Sequence, residues 1–453
     1  MQELSEQFES RAMRQIRLSI RTAERRMKMG VPEARRMSEQ QQTDAVKPAP
    51  RPPLDGIRVI DLTSVLMGPW ACQILGDYGA DVIKVESPGG DSTRRVGAAR
   101  NPGMSAFYLT MNRNKRSVVL DLKSADGKSA MMALVRTADV LVYNVRPQAM
   151  RRLGLSFEAL RAVNPRLIYV GAVGFGEKGP YAGRPALDDL IQGLAALPSL
   201  TADASGGEPR YLPVTIADRT VALQVVNAIL AALFERERSG EGQAIEVPMF
   251  ETMVQYVLGD HLQGHAFKPP LGPMGYDRLL VKERRPYATR DGYICVVVYT
   301  DNHWQAFCRL IGKPDMWETD SRMRDIGRRT THIDELYALV AEAMLMRTTA
   351  EWLRVLEAAD IPAYPMHTLE SLLEDPHLLA TGFFETVEHP TEGRLLNMAI
   401  PGSWSRAGPT IRRHAPNLGE NSREVLDELD LDPAQVERLL ALQSATSPKA
   451  AVV

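Results

Sequence analysis

From Leu54 onward the chain repeats one texture: a short β-rich apolar run, a helical run, then another β-rich run. IRVIDL gives way to a helical stretch through WACQILGDYG, followed by ADVIKVE, RSVVLDL, the helical GKSAMMALVRTA, DVLVYN, a helical stretch near FEALRAV, and RLIYVGAV. Strands and helices alternating at this spacing build βαβ units, because parallel strands cannot be joined by tight hairpins and need crossover connections. Several of the runs are apolar almost throughout, as strands covered on both faces must be. The alternation therefore predicts an α/β fold: a large domain with a mostly parallel sheet and flanking helices.

Helical runs follow at 188–200 and 220–238, then the strand AIEVPM and a helix from Phe250. The texture turns irregular near Gly272, which sets the large domain at 54–271 and opens a smaller α+β domain over 272–398. There YATRDGYICVVVYTDNHWQAFCRLIG reads as strand then helix, IDELYALVAEAML and TAEWLRVLEAA as helices, and GFFETVEHPTEGRLLNMAIPGSWS as loop and strand. The tail runs NSREVLDEL and AQVERLLAL are expected to cap a domain surface, with the last dozen residues frayed. A chain of 453 residues is long for one core, so two domains with appendages fit it.

Before Leu54 lie two appendages. Leu4, Phe8, Ala12, Ile16 and Ile20 recur at four-residue steps with Arg14, Arg17, Arg21 and Arg25 on another face, which predicts an amphipathic helix over 1–30. A basic amphipathic helix suits a targeting or membrane-surface element, but Glu3, Glu6 and Glu9 argue against a transit peptide and favour an extension packed on its own or a partner subunit. Residues 31–53, rich in Gln and Pro, read as a linker. A net charge of −2 gives no sign of nucleic acid or a membrane surface as partner. No uninterrupted apolar stretch approaches the roughly 20 residues of an integral membrane segment. Three scattered cysteines and eight dispersed histidines predict neither a disulfide framework nor a structural metal, and suit a cytoplasmic location.

No GxSxG elbow, HExxH helix, Walker A loop or GxGxxG fingerprint occurs, so the sharpest motifs of hydrolases, zinc proteases, nucleotide triphosphatases and dinucleotide enzymes are missing. GAVGFGEKG, after RLIYV, has the wrong spacing for a dinucleotide loop and reads as backbone that lets something bulky approach. Asp218, in LPVTIADRT, lies where a β-like run gives way to a helix, so helix-terminal N–H groups and the macrodipole would favour its charged form. Two roles stay open on the residues alone: a nucleophile, or an N-cap contributing ~1 kcal/mol.

LDGIRVIDLTSVLMGPWACQILGDYGADVIKVESPGGD, NRNKRSVVLDLKSADGK, NVRPQAMRRLGL, NPRLIYVGAVGFGEKGPYAGRPALDDLIQG and IADRTVALQVVNAILAALFERERSGEGQAIEVPMFE, in that order, resemble the class III CoA-transferases of CaiB/BaiF type. That family includes formyl-CoA transferase and carnitine CoA-transferase, with α-methylacyl-CoA racemase as a relative. The resemblance runs from about Leu54 to the C-terminus and implies an interlocked homodimer whose large domain is completed by 399–453. It implies acyl-CoA and organic acids as substrates, with coenzyme A itself a substrate and no permanently bound cofactor. It makes Asp218 the nucleophile and Asp188 a second acid near the thioester, Asp189 facing another way. Lys123, Asn144, Arg146, Arg152 and Pro185 would contribute to holding CoA, with Leu66 and Met67 as a wall.

Covalent carboxylate catalysis then follows: an aspartyl anhydride, an aspartyl CoA thioester, and the reverse sequence with an acceptor acid. Two positions depart from formyl-CoA transferases, Leu66 in place of glutamine and Ser87 in place of arginine. An apolar wall at Leu66 and Met67 favours a larger or less polar acyl group than formate or oxalate. The racemase branch carries a histidine where this chain has Leu187, which counts against an isomerase, since enolisation needs two opposed acid/base groups. A non-catalytic CoA-binding protein is the third reading, against which Asp218 and Asp188 speak.

Overall fold

A computed structural model of the chain describes residues 51–446. The amphipathic helix expected over 1–30, the linker as far as residue 50 and the terminal 447–453 lie outside them. Six strands, β1 (Arg58–Leu62), β2 (Asp81–Glu86), β3 (Lys115–Val119), β4 (Val140–Tyr143), β5 (Ile168–Val173) and β6 (Ala244–Pro248), form one sheet in the order β3-β2-β1-β4-β5-β6. Every pairing in it is parallel. Each of the six β-like runs read in the large domain, from IRVIDL to AIEVPM, supplies one of these strands.

The longer helices of this part are α1 (Met67–Asp77), α2 (Ala125–Thr137), α3 (Pro147–Leu153), α4 (Asp188–Leu194), α5 (Leu197–Ser205), α6 (Ile216–Ser239) and α7 (Met249–His261), with short helical turns at Ala106–Leu109 and Phe157–Arg161. Two differ from the sequence expectation. The run expected over 188–200 breaks into α4 and α5 at Ala196, whose φ of 65° no helix continues through. The next helix begins at Ile216 rather than Thr220, which draws Asp218 inside its first turn.

Alternation along each strand sends neighbours to opposite faces. Val59, Val82, Val140, Val142, Ile168 and Val170 meet α1, α4, α6 and α7 through Ala71, Leu75, Ile191, Val221, Val225, Ile229 and Met253. Ile60, Ile83, Val118, Leu141 and Tyr169 face Met131 and Leu134 of α2. By length and composition α6 could cross a membrane, a property the broken apolar runs of the sequence did not reveal; its inner face is committed to this core.

A separate antiparallel sheet, β7 (Tyr287–Ala288), β8 (Tyr293–Val296) and β9 (Ala363–Pro365), packs with α8 (Asp301–Leu310), α9 (Ile333–Met344) and α10 (Thr349–Ala358). Its core of Ile294, Trp304, Phe307, Leu336, Val340, Trp352 and Leu356 is distinct from the cores on the large sheet. On that separate core we propose a small domain spanning 272–398. β10 (Phe384–His389) and β11 (Gly393–Met398) make an antiparallel hairpin. The chain then returns: α11 (Ser422–Asp427), α12 (Pro433–Thr446) and the link between them place Val425, Leu426, Leu429, Val436 and Leu439 in the core on the second face of the large sheet. Helix α12 reaches Thr446, well into the dozen residues expected to fray.

The strand order reverses direction between β1 and β4, so the crossovers leave on opposite faces there. In open parallel sheets such a switch point opens a crevice beyond the carboxyl ends of the strands, where ligands bind.

Candidate active site

At that switch point β1 ends and the turn Thr63–Leu66 leads into α1, with Leu66 at the N-cap position and no side-chain cap bond. Asn144, just after β4, clasps the turn from across the crevice: the Ser64 N–H donates to its Oδ1 at 3.0 Å and its Nδ2 donates to the Ser64 carbonyl at 2.7 Å. Pro147 opens α3 immediately afterwards, its fixed φ suited to a first helical turn, so Arg146 stands at the rim. Beyond β5 the glycine-rich loop runs close to Ala186, because a Cβ on Gly174 would overlap the Ala186 Cβ.

These segments enclose a cleft of about 470 Å³. Val65, Leu66, Met67, Phe175 and Met249 give it an apolar wall, and Arg146, Glu177, Arg184 and Asp218 its charge. Leu66 and Met67 are buried; Arg146 and Pro185 stand exposed at the mouth.

Asp218 is the third residue of α6, behind Thr215 at the N-cap, which itself makes no side-chain cap bond. The reading of Asp218 as an N-cap is thereby set aside. Its own backbone N–H, one of the helix-terminal donors with no partner inside the helix, donates to Asp188 Oδ1 at 2.9 Å. Asp188, buried at the start of α4, has its other oxygen taken by Gln192 Nε2 at 2.6 Å, one helical turn on. Gln192 is fully buried, and its Oε1 accepts the Leu212 N–H at 2.9 Å. Asp188 thus fixes the first turn of α6, and Gln192 fixes both Asp188 and the segment that leads into that helix. Asp189 is exposed and does not line the cleft.

The electrostatics at Asp218 run opposite to the sequence expectation. Burial pushes its carboxyl up to about 7, the Asp188 charge pushes the same way, and the Arg219 guanidinium opposes them. A helix N-terminus favours an anion by roughly 0.3–1 kcal/mol, which desolvation and a like charge together outweigh.

Of the other residues singled out in the sequence, Asn144, Arg146, Pro185, Leu66 and Met67 line this cleft, as does Leu187. Lys123 and Ser87 line a second cleft of about 280 Å³, which shares Ser64 and Val145 with the first. Arg152, exposed in the last turn of α3, lines neither. Sequence reasoning passed over Arg184, whose guanidinium lies 4.7 Å from the Tyr181 ring, and Glu177, whose Oε1 is buried without a partner. It also passed over Gln192, although the four-residue step from Asp188 was there to be read.

A doubly covered parallel sheet with a ligand-sized cleft at its switch point, two carboxylates meeting at one helix terminus, defines an α/β enzyme. The profile of CoA-transferase family III matches residues 54–422. The chain is 35% identical over 392 residues to a succinate–glutarate CoA-transferase of Agrobacterium fabrum, covering 84% of this chain and 97% of that protein. It is 32% identical over 402 residues to a formyl-CoA:oxalate CoA-transferase of Shigella sonnei, covering 83% and 95%. Among solved structures, Rv3272 of Mycobacterium tuberculosis superposes with a TM-score of 0.72 at 31% identity, over 83% of this chain and 99% of that one. A CaiB/BaiF family protein of Brucella suis gives 0.71 at 31% identity, over 84% and 100%. The chain belongs to CoA-transferase family III and is a CoA-transferase.

Proposed function

We propose that the enzyme moves CoA from a donor acyl-CoA to an acceptor carboxylic acid through covalent intermediates on Asp218. The observation that carries this reading is the half-buried Asp218 carboxyl in the 470 Å³ cleft, its backbone fixed by Asp188. The ionised carboxylate attacks the thioester carbonyl; the C–S bond breaks, and CoA thiolate leaves a mixed anhydride. Thiolate then attacks the aspartyl carbonyl, forming an enzyme thioester and releasing the donor acid as its carboxylate. The acceptor carboxylate attacks this thioester, expelling thiolate again, and thiolate takes the acceptor acyl group, restoring Asp218. Each step exchanges one activated carbonyl for another, so no net proton or electron is required.

Arg146 and Arg184 at the rim suit the phosphates of CoA or a carboxylate on the acyl group, since a guanidinium fork pairs with either. The apolar wall of Leu66 and Met67 favours acyl groups larger than formyl or oxalyl. Succinate and glutarate, in the name of the Agrobacterium relative, are such acids. Leu187, 66% exposed at the cleft, offers no base where an isomerase needs one. We further propose a homodimer, for which Leu190 and Leu194 of α4, Leu223 and Phe234 of α6 and Tyr256 of α7 supply exposed apolar surface. The activity is tested by incubating the protein with a panel of acyl-CoAs and isotope-labelled organic acids. CoA exchange into a labelled acid supports transfer, and α-proton exchange without CoA movement would replace it with isomerisation.

A further inference from the structure

Beneath the turn between β1 and α1 lies a set of buried charges that the proposed chemistry does not use. Lys84 of β2 and Asp61 of β1 are fully buried, and Asp91 is buried beside them. The Lys84 ammonium donates to the Thr63 carbonyl and to Asp91 Oδ2, both at 3.0 Å. Asp91 Oδ1 accepts the Val65 N–H at 3.3 Å, together with the Thr93 N–H at 3.0 Å and the Thr93 hydroxyl at 2.8 Å. Thr63 is fixed from its other side by Asp61, whose Oδ1 accepts its N–H at 3.0 Å and also its hydroxyl. Asp61 is balanced by Lys115 at 2.8 Å and Lys84 at 4.0 Å.

Asp91 reaches Val65 through its N–H, while Lys84 and Asp61 hold Thr63 two residues before it. The φ of Val65 is 71°, a left-handed conformation in which Cβ crowds the following carbonyl and which β-branched residues avoid. The residue is 42% exposed, so core packing does not hold it there, and it lines the cleft with Asp218. A non-glycine residue stays in this region only where its surroundings over-determine it. Packing alone has no need of ions here, because apolar side chains of similar volume commonly serve as well as a buried ion pair.

We propose that Lys84 and Asp91 are positioning residues for the transfer reaction. Their ion pair grips the Thr63 carbonyl and the Val65 N–H, and so holds Val65 in the conformation that presents the Val65–Met67 wall to the reacting acyl group. The inference rests on the proposed role of the Asp218 cleft.

A four-protein cycle of wild type, Lys84→Met, Val65→Gly and the double variant tests it, with kcat measured at saturating substrates and folding followed by thermal melts. Lys84→Met lowers kcat at least about tenfold, since a misplacement of about 1 Å in an active site can cost about a hundredfold. In the Val65→Gly background the same substitution costs a much smaller factor, because glycine adopts a positive φ without being held there. An equal factor in both backgrounds overturns the proposal. Should Lys84→Met fail to fold because Asp91 is left uncompensated, the neutral pair Lys84→Met/Asp91→Asn takes its place in the same cycle. Hydroxylamine trapping at Asp218 separates the two failures. Turnover without modification of Asp218 removes the cleft reading, whereas trapping at Asp218 with no coupling between Lys84 and Val65 removes the clamp alone.

Discussion

The backbone N–H of Asp218 donates to Asp188 Oδ1 at 2.9 Å, so the acid in one helix terminates the backbone of the acid in another. The bond keeps the Asp188 charge close enough to act on the Asp218 carboxyl while using one of its oxygens for structure. It also makes the Asp218 carboxyl hard to ionise at the very place where an ionised carboxylate is proposed to attack.

Replacing Asp218 separates chemistry from structure. Asp218→Ala and Asp218→Asn are each expected to lower CoA transfer by about 10³-fold or more, the scale of losing a covalent nucleophile. CoA binding should survive both. Mass spectrometry of wild-type enzyme treated with acyl-CoA and hydroxylamine is expected to find a hydroxamate at residue 218. Wild-type turnover by Asp218→Asn would return the residue to a structural role.

Transfer should depend on pH through this one group. With the Asp218 carboxyl at about 7 in the free enzyme, raised first by burial and then by Asp188, the attacking form is gained as pH rises. The limb of log kcat/KM is expected to climb with unit slope below pH 7 and level off above it. A flat profile from pH 5 to 8 would contradict the burial argument.

The same shift predicts a stability cost. Unfolded, Asp218 titrates near ~3.9; folded, near 7, so the folded protein binds the proton more tightly and its advantage is lost as pH climbs from about 4 through 7. Asp218→Asn keeps the shape without the charge. Denaturant unfolding at pH 8 should find it more stable than wild type by about 2–4 kcal/mol, the gap closing toward pH 4. A less stable Asn variant at pH 8 would show the carboxylate to be welcome in the fold.

The sheet was legible because it is written in contiguous residues: IRVIDL, ADVIKVE and DVLVYN each carry enough apolar positions to cover two faces, and each is a strand. The break at Ala196 was not, since alanine carries no signature for a positive φ and the helical pattern runs straight through it. At the site, Asn144 and Arg146 could be found from a motif, and the cleft contains both. The ionisation of Asp218 could not, because it depends on burial and on Asp188, thirty residues away, and local reasoning from the helix terminus gave the opposite sign. Val65 was invisible for a related reason. A strained backbone is imposed by Lys84 and Asp91 on other segments, and valine by itself argues for a strand.

Asp188→Asn isolates the electrostatic part of the arrangement. An asparagine oxygen at 188 can still accept the Asp218 N–H, so the first turn of α6 keeps its acceptor, while the bond donated by Gln192 Nε2 is lost because an amide NH2 cannot accept it. The negative charge is gone, and with it the second of the two causes that raise the Asp218 carboxyl. The rising limb of the pH profile should therefore move below 7 and stop short of the unperturbed range near ~3.9, because burial, the larger cause, persists. Asp188→Leu removes the acceptor as well as the charge, leaving a helix-terminal N–H unpaired, and is expected to lose kcat in addition to the shift. If Asp188→Asn left the limb where it was while lowering kcat, Asp188 would act on the substrate directly and its charge would not tune Asp218.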